Sequence, residues 1–135
     1  AGVKIDLIIR GICCLRPAVP NISDNIHVRS IIGRFLEHSR IYYFHNNGEP
    51  VMYAGSADLM DRNLNRRVEV LFPIENPSIR QEILDSILRV QLADNVRARV
   101  LQPDGRWVRL MPSADERPLD SQEWAMKYSQ VTARF

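Results

Sequence analysis

The sequence has no long hydrophobic run, which excludes a membrane-spanning helix of the usual length. Its apolar stretches, such as Leu7–Ile9, are only a few residues long, far short of the ~20 residues that a bilayer requires. Lys4, Asp6 and Arg10 interrupt the first apolar stretch, so we expect no secretory signal peptide. The chain also lacks an initiator Met and begins on a strand-like pattern, which is typical of a fragment of a longer protein.

Cysteine is almost absent, and its placement argues against a disulfide or a zinc site. Cys13 and Cys14 are adjacent and are the only two cysteines. Neighbouring residues rarely have disulfide geometry, and this spacing is not that of zinc ligands. We expect two small, partly buried side chains in a reducing compartment, and a reactive thiol remains the alternative. The sequence also has no P-loop, no HExxH and no nucleophile elbow.

Lysine is scarce among the basic residues. Only Lys4 and Lys127 are lysines, which leaves sixteen arginines among eighteen basic side chains. The planar guanidinium grips phosphate or carboxylate in a bidentate manner, although a GC-rich genome would also favour arginine codons. The formal net charge of +2 excludes a large uniform basic field.

What is present is typical of a globular domain. The chain has 135 residues, of which 45% are apolar and 25% charged. This length is enough for one domain with its own core, and we predict a single domain over residues 1–135.

Alternating or β-rich patterns predict strands, and helical spacing predicts helices. The predicted strands are 3–9, 26–32, 39–44, 51–54, 67–72, 96–101 and 107–110. A turn or short helix is expected at 33–37 and a short helical segment at 58–65. Asn76 and Pro77 are typical of a helix start, and an apolar stripe continues to Gln91.

The last predicted helix begins at Asp120, which forms a capping-box pattern with Glu123. Trp124, Tyr128 and Val131 continue it at helical spacing, and we interpret them as packing residues. Strands interleaved with helices indicate a mixed α/β (α+β) fold, with helices packed on a mixed sheet.

Arg10 is the first candidate site residue. It follows an apolar strand and precedes Gly11, and in open α/β sheets ligand sites lie beyond the carboxyl ends of strands. A guanidinium beside a glycine suits a phosphate. The alternative is a solvated arginine at a strand end.

His38 and Arg40 form the second candidate. At the entrance to a strand, residues two apart share a face and lie about 7 Å apart. An imidazole can pass a proton or attack phosphorus, and a guanidinium can stabilise charge on phosphoryl oxygens. The alternative is a packed, hydrogen-bonded histidine.

The third candidate is a polar segment after the fourth predicted strand. Gly55–Asp58 offers backbone N–H groups, a hydroxyl and a carboxylate that could orient an imidazole. Arg62-Asn63 and Arg66-Arg67 follow. Arg67 and Glu69 could pair with each other, and the alternative for the whole segment is a polar turn with its own hydrogen bonds.

Four stretches of the sequence closely resemble the polyphosphate kinase family. They are residues 3–17 (VKIDLIIRGICCLRP), 29–40 (RSIIGRFLEHSR), 56–64 (SADLMDRNL) and 67–74 (RVEVLFPI). The match runs in order from residue 3 to about residue 100, and it is weaker beyond.

The resemblance implies a fold, an activity and site residues. Polyphosphate kinases reversibly transfer the terminal phosphate of ATP to polyphosphate through a phosphohistidine, using two phospholipase D-like domains. This chain resembles the second, C-terminal one, so the phosphorylated histidine is expected upstream. His38 matches the second active-site histidine, Arg10 an arginine that contacts nucleotide phosphates, and Arg67 an arginine near the site; Arg40 is expected to bind phosphate beside them.

The resemblance also implies partners. We expect ATP/ADP and polyphosphate as substrates, upstream domains of the same chain, a homo-oligomer, no nucleic acid, and a cytoplasmic enzyme, with membrane association of the full enzyme as an alternative. Mg2+ is expected as cofactor with its ligands upstream, so no metal ligand is assigned here. The isolated chain is expected to be inactive.

Two departures from the family pattern are visible. Family members often have glycine where this chain has Ala18 and Asn21, which affects the loop after Pro17. His-x-Arg also replaces the His-x-Lys of phospholipase D enzymes, which argues against phosphodiester hydrolysis. Half of a phospholipase D-like phosphodiesterase or nuclease, with His38 as nucleophile, and a non-enzymatic polyanion-binding module remain the alternatives.

Overall fold

The computed structural model describes residues 2–132, and the side chains of residues 2–129. The chain divides into two compact units. The first unit consists of residues 1–37 and 88–135, and the second of residues 38–87. Each is described by itself, and the prediction of one domain over 1–135 stays a prediction.

The strands follow the predicted order, and most of them are shorter than predicted. They are β1 (Ile5–Ile8), β2 (Ile26–Ile31), β3 (Ile41–Phe44), β4 (Val51–Gly55), β5 (Leu71–Pro73), β6 (Ala98–Leu101) and β7 (Trp107–Arg109). The helices are α1 (Asp61–Arg66), α2 (Pro77–Ile83), α3 (Arg89–Ala93) and α4 (Ser121–Thr132), with a π-helical turn at Leu84–Leu88 and a 3-10 turn at Asn46–Gly48.

The first unit is built on a mixed four-stranded sheet in the order β1-β2-β6-β7. β1 and β2 are parallel, whereas β2–β6 and β6–β7 are antiparallel. Among its strand residues, the buried apolar side chains come from the two central strands: Val28, Ile31, Ala98 and Leu101. The mixed sheet that the sequence predicts is therefore confirmed in this unit.

Asp94 ties the start of β6 to the start of α4. Its Oδ1 accepts hydrogen bonds from the backbone N–H of Val96, Arg97 and Ala98 at 3.0, 2.7 and 3.1 Å, and its Oδ2 accepts from Ser121 at 2.7 Å. Burial alone would raise the pKa of Asp94, but these N–H donors outweigh burial and lower it. The side chain is 1% exposed, so a carboxylate rather than an apolar group organises this junction.

The loop after β1 contains a backbone conformation that favours glycine. Ala18 and Asn21 have φ angles of 54° and 62°, in the left-handed region that side chains with a Cβ rarely adopt. The loop is closed by a hydrogen bond from the Ala18 N–H to the Ser23 carbonyl, 2.8 Å long. The two positions at which the family resemblance implies glycine are therefore positions with positive φ.

The second unit carries an antiparallel sheet in the order β3-β4-β5. Met52 on the central strand is 1% exposed. The predicted strand 67–72 is wrong in its bounds, because the regular pairing starts only at Leu71 and Val68 is fully exposed. The Val70 N–H and carbonyl bond the Ser56 hydroxyl and N–H, at 3.1 and 3.0 Å, so Ser56 occupies the backbone groups of this segment.

The helix predicted after Asn76 begins as expected and then continues as a π-helical turn. The Asn76 side chain accepts hydrogen bonds from the Ser78 and Ile79 N–H groups, and Pro77 opens the helix. Within the π-helical turn, the Ser86 hydroxyl donates to the Glu82 carbonyl at 2.5 Å. Such bonding to the preceding turn competes with the regular ladder and bends helices.

The terminal helix has the predicted cap. Asp120 Oδ1 accepts from the N–H groups of Gln122 and Glu123, at 3.1 and 3.2 Å. The Trp124 and Tyr128 rings stack with centroids 4.8 Å apart, which agrees with a packing role. The side chain of Val131 lies outside the described residues.

Candidate functional site

Arg10 lies where the sequence predicts, just beyond the carboxyl end of β1. Because β1 and β2 are parallel, their carboxyl ends meet at one edge of the sheet, and the chain leaving β2 reaches Glu37 at this edge. Arg10 Nη1 donates to the Glu37 carbonyl at 2.8 Å. The arginine is half-buried, and this bond orients its planar guanidinium.

His38 and Arg40 are in direct contact. Arg40 Nη1 lies 2.7 Å from His38 Nδ1 and 3.4 Å from Nε2, and it also donates to the His38 carbonyl at 2.7 Å. The predicted strand entrance is wrong by two residues, since β3 begins at Ile41. The contact arises because the Arg40 side chain folds back onto His38, to whose carbonyl it also donates.

Asp58 holds the Arg40 guanidinium from the other side. Its Oδ1 accepts from Arg40 Nε at 3.0 Å, and the two side chains are 25% and 14% exposed. The same Nη1 lies within 3.4 Å of both ring nitrogens, so Arg40 holds the imidazole in place whichever nitrogen carries the ring proton. Asp58 thus acts on His38 through Arg40.

A second hydrogen-bonded group lies in the same unit. Glu69 accepts from the Ser56 hydroxyl and from Asn63 Nδ2, the latter at 2.8 Å. These two donors lower the pKa of Glu69; burial opposes them, and the charges of Arg67 and then Arg40 add to the lowering. Glu69 is therefore ionised, and it fixes the serine and the asparagine.

Gly55 permits this arrangement sterically. Its N–H donates to the Arg40 carbonyl at 3.1 Å, and an added Cβ would collide with the backbone carbonyl of Val70. A larger residue at this position would separate the segment that bears Arg40 from the segment that bears Glu69. Steric crowding therefore explains why a glycine stands at position 55 of the predicted polar segment.

Arg67 follows α1 and is exposed. The Glu69 oxygens bond Ser56 and Asn63, and the charge of Arg67 contributes only to lowering the pKa of Glu69. The second unit thus contains His38, Arg40 and Arg67, and Arg10 belongs to the first unit. The role of each residue toward a substrate stays a prediction.

Asn63 is a site residue that the sequence reasoning undervalued. It is 4% exposed, and among the described residues its Oδ1 is a buried acceptor without a hydrogen-bond partner. The available signal is a polar residue that follows Arg62 on a short helix. The sequence spacing of Asn63 from Ser56 and from Glu69 follows no rule that would single it out.

Within residues 2–132, neither a metal-ligand cluster nor a membrane-spanning helix is present. No group of three or more His, Cys, Asp or Glu side chains in this range could hold a metal ion. No helix within these residues is both long and apolar enough to cross a membrane.

The fold and the site together define a mixed α/β domain of the phospholipase D-like class, with a histidine held by an arginine–carboxylate pair. Residues 1–122 match the family model described as "Polyphosphate kinase C-terminal domain 2". The chain belongs to this family.

Curated relatives and a solved structure agree with this assignment. The chain is 61% identical over 122 residues to the polyphosphate kinase of Synechocystis sp., covering 90% of this chain and 17% of the relative. It is 55% identical over 122 residues to that of Pseudomonas aeruginosa, covering 90% and 18%. The crystal structure of polyphosphate kinase from Porphyromonas gingivalis matches with a TM-score of 0.89 and 41% identity over 97% of this chain and 20% of that one. The chain thus spans about a fifth of these relatives.

Proposed function

We propose that the chain is the C-terminal catalytic domain of a polyphosphate kinase that reversibly transfers the terminal phosphate of ATP to polyphosphate. The observation that carries the proposal is the contact of Arg40 Nη1 with His38 Nδ1 at 2.7 Å, with Asp58 fixing the guanidinium. Phosphoryl transfer needs positioning and charge stabilisation above all, and this triad provides a positioned donor beside a fixed cation.

His38 acts as the group that donates to the leaving phosphate oxygen. The attacking histidine lies upstream, so in the forward half-reaction its nitrogen forms the new P–N bond while the bond between phosphorus and the ADP oxygen breaks. His38 passes a ring proton toward that oxygen as a general acid, and Arg40 stabilises the charge that develops on the phosphoryl group.

Arg10 and Arg67 bind phosphate oxygens of the nucleotide or of the polyphosphate chain. Arg10 is pre-organised by the Glu37 carbonyl, which lowers the entropic cost of a bidentate phosphate contact. Arg67 is exposed and adds positive charge next to the ionised Glu69.

The remaining parts of the enzyme are assigned outside this chain. We propose that Mg2+ is held by upstream residues, as the family resemblance implies, and no step described for this chain depends on it. The proposal also includes upstream domains as intramolecular partners, a homo-oligomer and a cytoplasmic location, where ATP is available.

An assay of the isolated chain beside the full-length enzyme tests this function. Both proteins are incubated with ADP and polyphosphate, and ATP formation is measured. We expect the full-length enzyme to synthesise ATP and the folded isolated chain to be inactive, because the attacking histidine is absent from it. ATP synthesis by the isolated chain at a comparable rate would contradict the proposal that the attacking histidine lies outside this chain.

Mapping of the phosphohistidine separates the proposal from a phosphodiesterase. After incubation of the full-length enzyme with ATP, peptides are analysed by mass spectrometry under alkaline conditions. The phosphate is expected on an upstream histidine. A covalent intermediate on His38 itself would favour the phosphodiesterase alternative.

A further inference from the structure

Gln122 pairs with the backbone of Phe35 as a neighbouring strand would. Its Oε1 accepts from the Phe35 N–H at 3.0 Å, and its Nε2 donates to the Phe35 carbonyl at 2.8 Å. The segment 33–37 has no regular secondary structure, so these two bonds replace a ladder that the segment lacks. The glutamine is 7% exposed, and water competes little for its amide.

Gly33 gives the Gln122 amide its space. A Cβ added at Gly33 would collide with Oε1 and would lie 2.8 Å from Cδ of Gln122. The backbone of Gly33 does not have a positive φ, so the need for glycine here is steric rather than conformational.

The same glutamine holds the Glu37 side chain. Gln122 Nε2 donates to Glu37 Oε1 at 2.6 Å, and Gln91 Nε2 donates to Oε2 at 3.0 Å. Both oxygens of Glu37 are thus fixed by side chains from α3 and α4. The carbonyl of this residue receives Arg10 at 2.8 Å.

We propose that Gln122 is a positioning residue for Arg10, acting through the fixed segment Phe35–Glu37. The inference rests on the proposed function, in which Arg10 binds nucleotide phosphates. Gln122 itself touches no substrate. It sets the place of the Glu37 carbonyl, which in turn sets the guanidinium, and a misplacement of about 1 Å can cost on the order of 100-fold in rate.

The test uses the full-length enzyme with Gln122→Ala and Gly33→Ala. Gly33→Ala is the second variant. Gly33 lies in an exposed loop, and its added Cβ would displace the Gln122 amide. The proposal can therefore still be tested if Gln122→Ala does not fold. We expect either variant to raise KM for ATP by about tenfold, with a smaller change in KM for polyphosphate. Leu101→Val, a core change in the same unit, is the control, and it should lower Tm without changing KM for ATP.

A double-mutant cycle with Arg10→Lys decides between positioning and general stability. If Gln122 acts through Arg10, Gln122→Ala should change kcat/KM for ATP by less than about twofold in the Arg10→Lys background. An equal loss in both backgrounds, or an equal KM shift in Leu101→Val, would overturn the inference. If Arg10→Lys alone has no effect, the proposed role of Arg10 fails, whereas a strong Arg10 effect with a silent Gln122 overturns only the present inference.

Discussion

The two units differ in what fixes their polar groups. In the first unit, Asp94 and Gln122 are almost fully buried and bond backbone N–H and carbonyl groups over an apolar sheet core. In the second unit, the described buried residues are Met52 and Asn63, and the polar groups bond one another: Arg40 to His38 and Asp58, Glu69 to Ser56 and Asn63. A change at Asp94 in the first unit should therefore act on stability, and a change at His38 in the second on chemistry.

The largest effect that this comparison predicts is on catalysis, at His38. In the full-length enzyme, His38→Gln keeps a donor of similar size but cannot exchange a proton near neutral pH, so turnover should fall by about 10²–10⁴-fold. Turnover and Tm are measured on the same sample. A lowered Tm with normal turnover per folded molecule would make His38 a structural residue and would remove the contrast between the units.

The largest effect on stability is expected at Asp94. Asp94→Asn replaces one acceptor oxygen by an NH2 group that faces N–H donors, which should cost about 3 kcal/mol of unfolding free energy. Because its folded pKa is lowered, its contribution is present above the unfolded pKa and is lost as pH falls through the folded value. Chemical denaturation of wild type and variant between neutral and acid pH measures this cost and its pH dependence. The difference in unfolding free energy between the two proteins should shrink in acid. An Asp94→Asn protein as stable as wild type would contradict this account.

Arg10 is an exception to this contrast. It belongs to the first unit, but its proposed role is to bind the phosphates of the nucleotide. Arg10→Lys loses the bidentate fork, and with about 1.5–3 kcal/mol per charge-assisted bond kcat/KM for ATP should fall by at least tenfold with Tm unchanged. Steady-state kinetics and thermal unfolding of the full-length variant are the measurements. Unchanged kinetics would place Arg10 outside the site.

The smallest expected effect is a gain in stability from a substitution in the loop after β1. Ala18 has a φ of 54°, a region that costs an L-residue about 1–2 kcal/mol. Ala18→Gly relieves this strain, although the glycine also makes the unfolded chain more flexible, so the net gain should be below about 1 kcal/mol. Thermal unfolding of the full-length enzyme detects the gain, and Val19→Gly is a matched control that should lower Tm. A lower Tm for Ala18→Gly would contradict the claim that the backbone of Ala18 is strained.

The order of the elements and the proximity of His38 and Arg40 could be predicted from the sequence, because alternation predicts β1 and β2 and the two residues are only two apart. Their direct contact could not, because residues 38–40 precede β3 and Arg40 folds back on His38 instead of following the i, i+2 spacing of a strand. The replacement of regular pairing around Val70 by Ser56 could not be predicted, because a side chain that substitutes for a strand has no periodicity. The same holds for Gln122, which an amphipathic pattern would leave among ordinary helix residues.

The pairing of Gln122 with Phe35 joins residues 87 positions apart, and this separation has a consequence for biosynthesis. Translation proceeds at about 5–20 residues per second, so the segment 33–37 leaves the ribosome seconds before the glutamine that fixes it. Until α4 has emerged and docked, Phe35 has no partner for its backbone groups from that helix. The geometry around Arg10 is therefore completed late, and a nascent chain stalled before Ser121 would contain the whole sheet of the first unit without the correct setting of its arginine.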